Sequence, residues 1–174
     1  MNKGKIITVF GSSKPKPGEA AYETAHQVGK SLAEAGFGLC NGGYGGTMEA
    51  GAKGTKEGGG KTIGVTCTIF GRSGPNAFLD EIIETNDLHT RLTRLIDIAE
   101  GYVVLPGGSG TLVELSLVWE LVAKKLMAPR PIILMGEFWK PVIEIAATER
   151  PKSLAFIQYA HSPAEAVRLL AQGM

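Results

Sequence analysis

Cysteine is nearly absent. Cys40 and Cys67 are the only two in 174 residues, they form no C-x-x-C pair, and each lies in an apolar, strand-like run. That reads as buried free thiols, not as a disulfide framework or a thiolate metal site. Histidine is equally sparse: His26, His89 and His161 are scattered without metal-ligand spacing, so no metal centre is supported. No apolar run approaches the roughly 20 residues of a membrane span. The apolar part of the opening segment MNKGKIITVFGSS is too short for a signal peptide and no cleavage pattern follows it. The expectation is a cytoplasmic protein. Neither sign of charge dominates, with 18 Lys and Arg against 17 Asp and Glu, which argues against a general nucleic-acid or membrane surface. The expected partner is a small molecule.

Glycine, by contrast, is abundant: 24 residues of 174, roughly twice average usage. The glycines gather between strand-like and helix-like segments, which points to loops that approach a ligand. The length suits one domain, residues 1–174, with a sizeable core. Strands are predicted at 5–10, 37–40, 62–67, 81–85, 102–105, 131–135 and 155–160, and helices at 19–35, 47–57, 87–99, 138–148 and 162–172, with a long helix after residue 110. Residues 68–80 lack a period and read as a surface loop. Gly51 and Gly54 weaken the second helix as an isolated element and are expected as close-packing points. Strand and helix alternate, and the strands are apolar on both faces. That pattern predicts an α/β, Rossmann-like doubly wound parallel sheet with helices on both sides. Ligands of such sheets sit at the carboxyl ends of strands. The loops at 11–18, 41–46 and 106–110 should all open there.

The most informative stretch is 101–127, GYVVLPGGSGTLVELSLVWELVAKKLM. A short strand, a glycine turn from Pro106 to Gly110 and a long helix follow one another. Backbone N–H groups at a helix start, together with the macrodipole, suit an anion. Gly107, Gly108, Ser109, Gly110 and Thr111 are therefore candidate phosphate ligands. Glu114 has two readings. Thr111-x-x-Glu114 fits a capping box; alternatively the carboxylate faces ribose hydroxyls or a reacting carbon.

Familiar nucleotide motifs fail. G-x-G-x-x-G would need glycine where Met48 and Val113 stand. The GGGKT at 58–62 lacks the P-loop glycine, since position 55 is Thr55, and a strand-like IGVTC follows instead of a helix.

The motif Pro106-Gly107-Gly108-Ser109-Gly110-Thr111 with Glu114 resembles the signature of the LONELY GUY (LOG) family, which includes cytokinin riboside 5′-monophosphate phosphoribohydrolases and members mislabelled lysine decarboxylase. The resemblance extends to Phe10-Gly11-Ser12-Ser13 and Tyr22, to Gly42, Gly43, Gly46 and Met48, and to Arg91, fifteen positions before Pro106. It implies a Rossmann-like fold and hydrolysis of the N-glycosidic bond of a nucleoside 5′-monophosphate without a cofactor. Arg91 and Glu114 would be catalytic, with Gly11, Ser12, Ser13, Gly42, Gly43, Gly46, Met48 and the 107–111 loop binding the nucleotide. It also implies a homodimer, for which the motif helix offers two apolar stripes: Leu112, Leu115, Trp119, Val122 and Leu126, and Val113, Leu117 and Leu121 with Val118 beside them. Leu92, Glu49 and Val113 stand where the family usually has Lys, Gly and Glu, and 47–60 is closer to relatives that include molybdenum-cofactor carriers. Two functions follow, a hydrolase or a non-catalytic nucleotide or molybdenum-cofactor carrier. Periodicity alone would make Arg91 a solvated helix charge.

Overall fold

Alternation along the strands fixes which helix covers which face. A computed structural model describes residues 4–71 and 74–174; residues 1–3 of the opening segment and residues 72 and 73 of the predicted 68–80 loop lie outside the described residues. Seven strands, β1 (Ile6–Phe10), β2 (Gly38–Asn41), β3 (Thr62–Cys67), β4 (Glu81–Thr85), β5 (Gly101–Val104), β6 (Ile132–Met135) and β7 (Ile157–Ala160), form one parallel sheet ordered β4-β3-β2-β1-β5-β6-β7. Between and after them run α1 (Ala20–Glu34), α2 (Thr47–Glu57), α3 (Leu88–Asp97), α4 (Ser109–Ala123), α5 (Lys140–Ala147) and α6 (Pro163–Gly173).

Successive strand side chains point to opposite faces. Ile7, Val9, Leu39, Val103 and Ile133 join the core beneath α1, α2 and α6, while Phe10, Cys40, Tyr102, Val104 and Ile132 join the core beneath α3, α4 and α5. Both layers are apolar because both sheet faces are covered, which is why the strands read as continuous apolar runs. Cys40 and Cys67 are buried and free, and burial pushes the Cys40 thiol up to about 12. α1 and α2 meet closely. A Cβ on Gly54 would lie 2.0 Å from the His26 carbonyl oxygen, and one on Gly29 would lie 2.0 Å from that of Gly51. Gly54 and Gly51 are thus close-packing points, Gly51 by offering its backbone to Gly29.

Several elements differ from expectation, most of them only by a residue or two at an end. Residues 151–156, partly assigned to the last strand, form a 3-10 helix, and β7 starts at Ile157. Pro151 opens that turn, and the Trp119 indole donates to the Ser153 carbonyl at 3.0 Å, latching it to α4. α5 starts at Lys140 and not at 138, because the Trp139 indole is held by the Leu105 carbonyl at 3.0 Å, at the end of β5. Within the aperiodic 68–80 stretch, Thr68–Phe70 is a 3-10 turn. Among the described residues no helix is long and apolar enough to cross a membrane.

Candidate functional site

The chain runs from β1 outward to β4, then returns to β5 on the other side of β1. The β1 and β5 exits are therefore adjacent and lead to helices on opposite faces, which makes them the switch point of the sheet. A cavity of about 690 Å³ opens there, within the usual range for small-molecule sites. It gathers Gly11, Ser12, Ser13, Met48, Arg91, Gly107, Gly108, Ser109, Gly110, Thr111 and Glu114 from the sequence-derived candidates.

Arg91 and Glu114 reach the cavity by the same device. Each lies one helical turn before a buried apolar residue on its own helix, Leu95 on α3 and Val118 on α4, and so shares the sheet-facing stripe. Arg91 is 6% and Glu114 9% exposed, which removes the solvated-charge reading of Arg91. Asp87 caps α3, accepting from the Thr90 N–H at 2.8 Å and its hydroxyl at 2.6 Å. The Arg91 guanidinium donates from Nε to the Val65 carbonyl at 2.9 Å, from Nη1 to Glu114 Oε1 at 3.4 Å and from Nη2 to the Gly42 carbonyl at 3.4 Å. A guanidinium carries five N–H groups, so each terminal nitrogen keeps one hydrogen. The ion pair is longer than the 2.7–2.9 Å of a tight charge-assisted bond, and Glu114 Oε2 takes no hydrogen bond from the described residues. Burial pushes the Glu114 carboxyl up to about 7, against the pull of Arg91. Desolvation of two charges makes such a pair a weak source of stability, and a shifted carboxyl in a cleft marks a functional candidate.

The capping-box reading of Glu114 does not survive. α4 begins at Ser109 with Gly108 as N-cap and no side-chain cap. Thr111 is thus the third helical residue, and Glu114 sits in the second turn, beyond reach of the N-cap. The first backbone bond runs from the Leu112 N–H to Gly108 O at 3.0 Å, which leaves the N–H groups of Ser109, Gly110 and Thr111 without helical acceptors. The helix also ends earlier, at Ala123, followed by Lys125 at φ 58. Val118 packs with Leu115, Trp119 and Val122 against the sheet, Leu126 lies beyond the helix and is exposed, and Val113 is 45% exposed with Leu112, Leu117 and Leu121 half-buried.

Gly42, Gly43 and Gly46 are not at the cavity wall. They stand behind it. A Cβ on Gly42 would lie 2.1 Å from Arg91 Nη2. Gly46, at φ 70, packs so closely on the first loop that a Cβ would come 2.4 Å from the Ser13 carbonyl carbon. The Thr47 N–H and hydroxyl both donate to the Ser12 carbonyl, at 2.8 and 3.0 Å. Further back, the Tyr22 hydroxyl donates to Glu49 at 3.1 Å, and burial with that carboxylate raises the phenol to about 12.

Several site residues were missed from sequence. Asn41 is fully buried; its amide donates to Met48 O at 2.8 Å and its Oδ1 accepts the Gly43 N–H at 2.8 Å. The Asn-Gly-Gly order was the available signal, since Asn favours such local turns. Tyr44, Phe70, Leu88, Leu92 and Phe138 also line the cavity. Phe70 left no signal, because its stretch has no period.

A model of the SLOG cluster4 family matches residues 4–167. The chain is 34% identical over 128 residues to the pyrimidine/purine nucleotide 5′-monophosphate nucleosidase of Escherichia coli K12; the match spans 68% of this chain but only 28% of that longer protein. It is 28% identical over 155 residues to a cytokinin riboside 5′-monophosphate phosphoribohydrolase of Rhodococcoides fascians, spanning 83% of this chain and 77% of the relative. Among solved structures, the molybdenum cofactor binding protein of Rippkaea orientalis superposes with a TM-score of 0.79 at 26% identity, covering 99% of this chain and 98% of that one.

Proposed function

The chain belongs to the SLOG cluster4 family, and from that premise we propose that it is a LOG-type phosphoribohydrolase, which hydrolyses the N-glycosidic bond of a nucleoside 5′-monophosphate such as AMP or a cytokinin riboside monophosphate. The buried Arg91–Glu114 pair, loose and facing a cavity beside three open helix N–H groups, is the observation that carries this reading. The phosphate meets residues 107–111, where each hydrogen bond to a charged group contributes about 1.5–3 kcal/mol. Water adds to the anomeric carbon as the bond to the base nitrogen breaks, giving free base and ribose 5-phosphate. Positive charge develops on the sugar, as in other glycoside chemistry. The Glu114 carboxylate stabilises that charge, holds ribose hydroxyls or orients the water. Arg91 orients the substrate or steadies the departing base; an arginine is too weak an acid to donate the proton. The two similar enzymes named above support this assignment.

A carrier reading is favoured by one observation. The Rippkaea orientalis cofactor-binding protein is similar over nearly the whole chain. In that reading the same cradle holds a nucleotide-like cofactor phosphate without cleaving it. Mass spectrometry of small molecules released from the purified protein, followed by incubation with a panel of nucleoside monophosphates, separates the two. We expect free base plus ribose 5-phosphate; a retained intact cofactor and no cleavage would transfer the assignment to the carrier. The proposal includes a homodimer, a second copy covering the Val113, Leu117 and Leu121 stripe of α4. Light scattering that shows a stable monomer at micromolar concentration removes the dimer.

A further inference from the structure

The two ends of the cavity differ in chemistry. At the β1 and β5 exits stand Ser12 and the open N–H groups of the α4 start; on the β3 side stand Phe70, on the turn after β3, and Leu88 and Leu92 of α3, the helix after β4 whose Arg91 donates to Val65 of β3. Strand order fixes their separation. β3 is two strands from β1 and three from β5; at about 4.8 Å per strand, Phe70 lies about 10–14 Å along the sheet edge from the anion end. That is comparable to the reach of an extended nucleoside monophosphate from its phosphate to the far side of its base.

Phe70 is held in place. The Tyr44 hydroxyl donates to the Cys67 carbonyl at 3.0 Å and accepts the Cys67 N–H at 2.8 Å, fixing the root of the turn that carries Phe70. The Tyr44 ring meets the Phe70 ring at 6.3 Å with a 47° tilt, and the Arg91 guanidinium carbon sits 5.3 Å from the Phe70 centroid. An aromatic ring positioned before the ligand arrives loses little freedom on binding. Its contact with Arg91 also sets it beside the group that would face the scissile bond. Base–aromatic stacking tolerates every base, since each has a π-face.

We propose that Phe70 stacks the base of the bound nucleotide, so that the site selects a planar heterocycle by its ring face. The inference rests on the nucleotide-binding part of the proposed function and not on turnover. It is tested by measuring the affinity of AMP and of ribose 5-phosphate, which lacks the base, for the wild type and for Phe70→Ala, Phe70→Leu and Phe70→Trp. Phe70→Ala and Phe70→Leu are expected to weaken AMP by between about 5- and 150-fold and to leave ribose 5-phosphate within twofold, by about the same rule that distant contacts add. Phe70→Trp is expected to retain AMP. Equal losses for both ligands, or loss of turnover with AMP affinity intact, would overturn the proposal and make Phe70 a support for Arg91. AMP that binds the wild type no tighter than ribose 5-phosphate overturns it too. A wild type that binds AMP tightly but cleaves nothing defeats the hydrolase assignment alone, and the affinity comparison across the variants still decides the role of Phe70.

Discussion

Residues 41–46 and 106–110 look alike in sequence, each a glycine-rich loop between a buried strand and a helix, yet their polar groups are satisfied in opposite ways. The loop after β2 spends its polar groups inside the protein. Asn41 takes the Gly43 N–H and the Met48 carbonyl, Gly42 O accepts Arg91, and the helix start at Thr47 is tied to Ser12. The loop after β5 leaves Ser109, Gly110 and Thr111 with N–H groups that no helix carbonyl takes, and it lines the cavity. The residue that opens each loop separates them. Asn41 supplies a side chain that competes for local backbone groups; Pro106 supplies neither a side-chain partner nor an N–H. A glycine loop is thus open to a ligand only where nothing in the protein has already satisfied its N–H groups.

The largest test of this contrast is Glu114→Gln. Gln is nearly isosteric, so near-native melting and retained AMP binding are expected, with turnover lower by about 10²- to 10⁴-fold. Full hydrolase activity in that variant would remove the carboxylate from the mechanism. A smaller effect comes from exchanging alanine into each loop. Gly46→Ala forces a Cβ to 2.4 Å from Ser13 and 2.5 Å from Ser12 O at a positive φ, and is expected to cost about 2–4 kcal/mol by thermal or urea unfolding. Gly110→Ala has nothing within 4 Å of the new Cβ. It should hold or raise stability by up to about 1 kcal/mol while weakening phosphate at the open N–H groups. Equal melting losses in the two variants would erase the distinction between structural and ligand loops.

Much of the architecture was legible because strands covered on both faces are apolar throughout and helices carry a 3.6-residue stripe. The parallel sheet, its seven strands and the meeting of three loops at one edge follow from those two periods. Boundaries were less legible where a tertiary bond decided them, as with the Trp119 and Trp139 indoles. Glu114 shows the same limit. Thr-x-x-Glu is a capping box only if Thr111 is the N-cap; with Gly108 as N-cap the helix starts three residues earlier, nearly a full turn, and the Glu114 carboxylate pairs with Arg91 instead. The second glycine loop was read as a ligand loop because sequence counts glycines and does not show which N–H groups are already bonded. Phe70 was invisible, since its place depends on Tyr44, 26 positions earlier in the chain, gripping the end of β3.

The smallest expected effect is a slope in stability against pH, and it too should belong to one loop region only. Neither loop holds a carboxyl, but the helix after 106–110 buries Glu114, whose carboxyl is raised from 4.5 to about 7, chiefly by desolvation, whereas the helix after 41–46 carries Glu49, only half-buried against Tyr22. A raised value means that the folded state holds the proton more tightly than the unfolded chain. The contribution of Glu114 to stability is therefore full below pH 4.5, falls as pH rises between 4.5 and about 7, and is flat above. One proton limits the slope to about 1.4 kcal/mol per pH unit, a limit approached only near the middle of the window. Gln cannot titrate, so the difference in melting temperature between wild type and Glu114→Gln should shift in favour of Gln across that window and be level outside it. Other carboxylates are common to both proteins and cancel in the difference. Phosphate in the cavity adds negative charge near the carboxylate and should carry the upper end of the window to higher pH. Melting curves that run parallel from pH 4 to 8 would mean that Glu114 feels no burial, and would remove the physical basis for setting it apart from an ordinary surface glutamate.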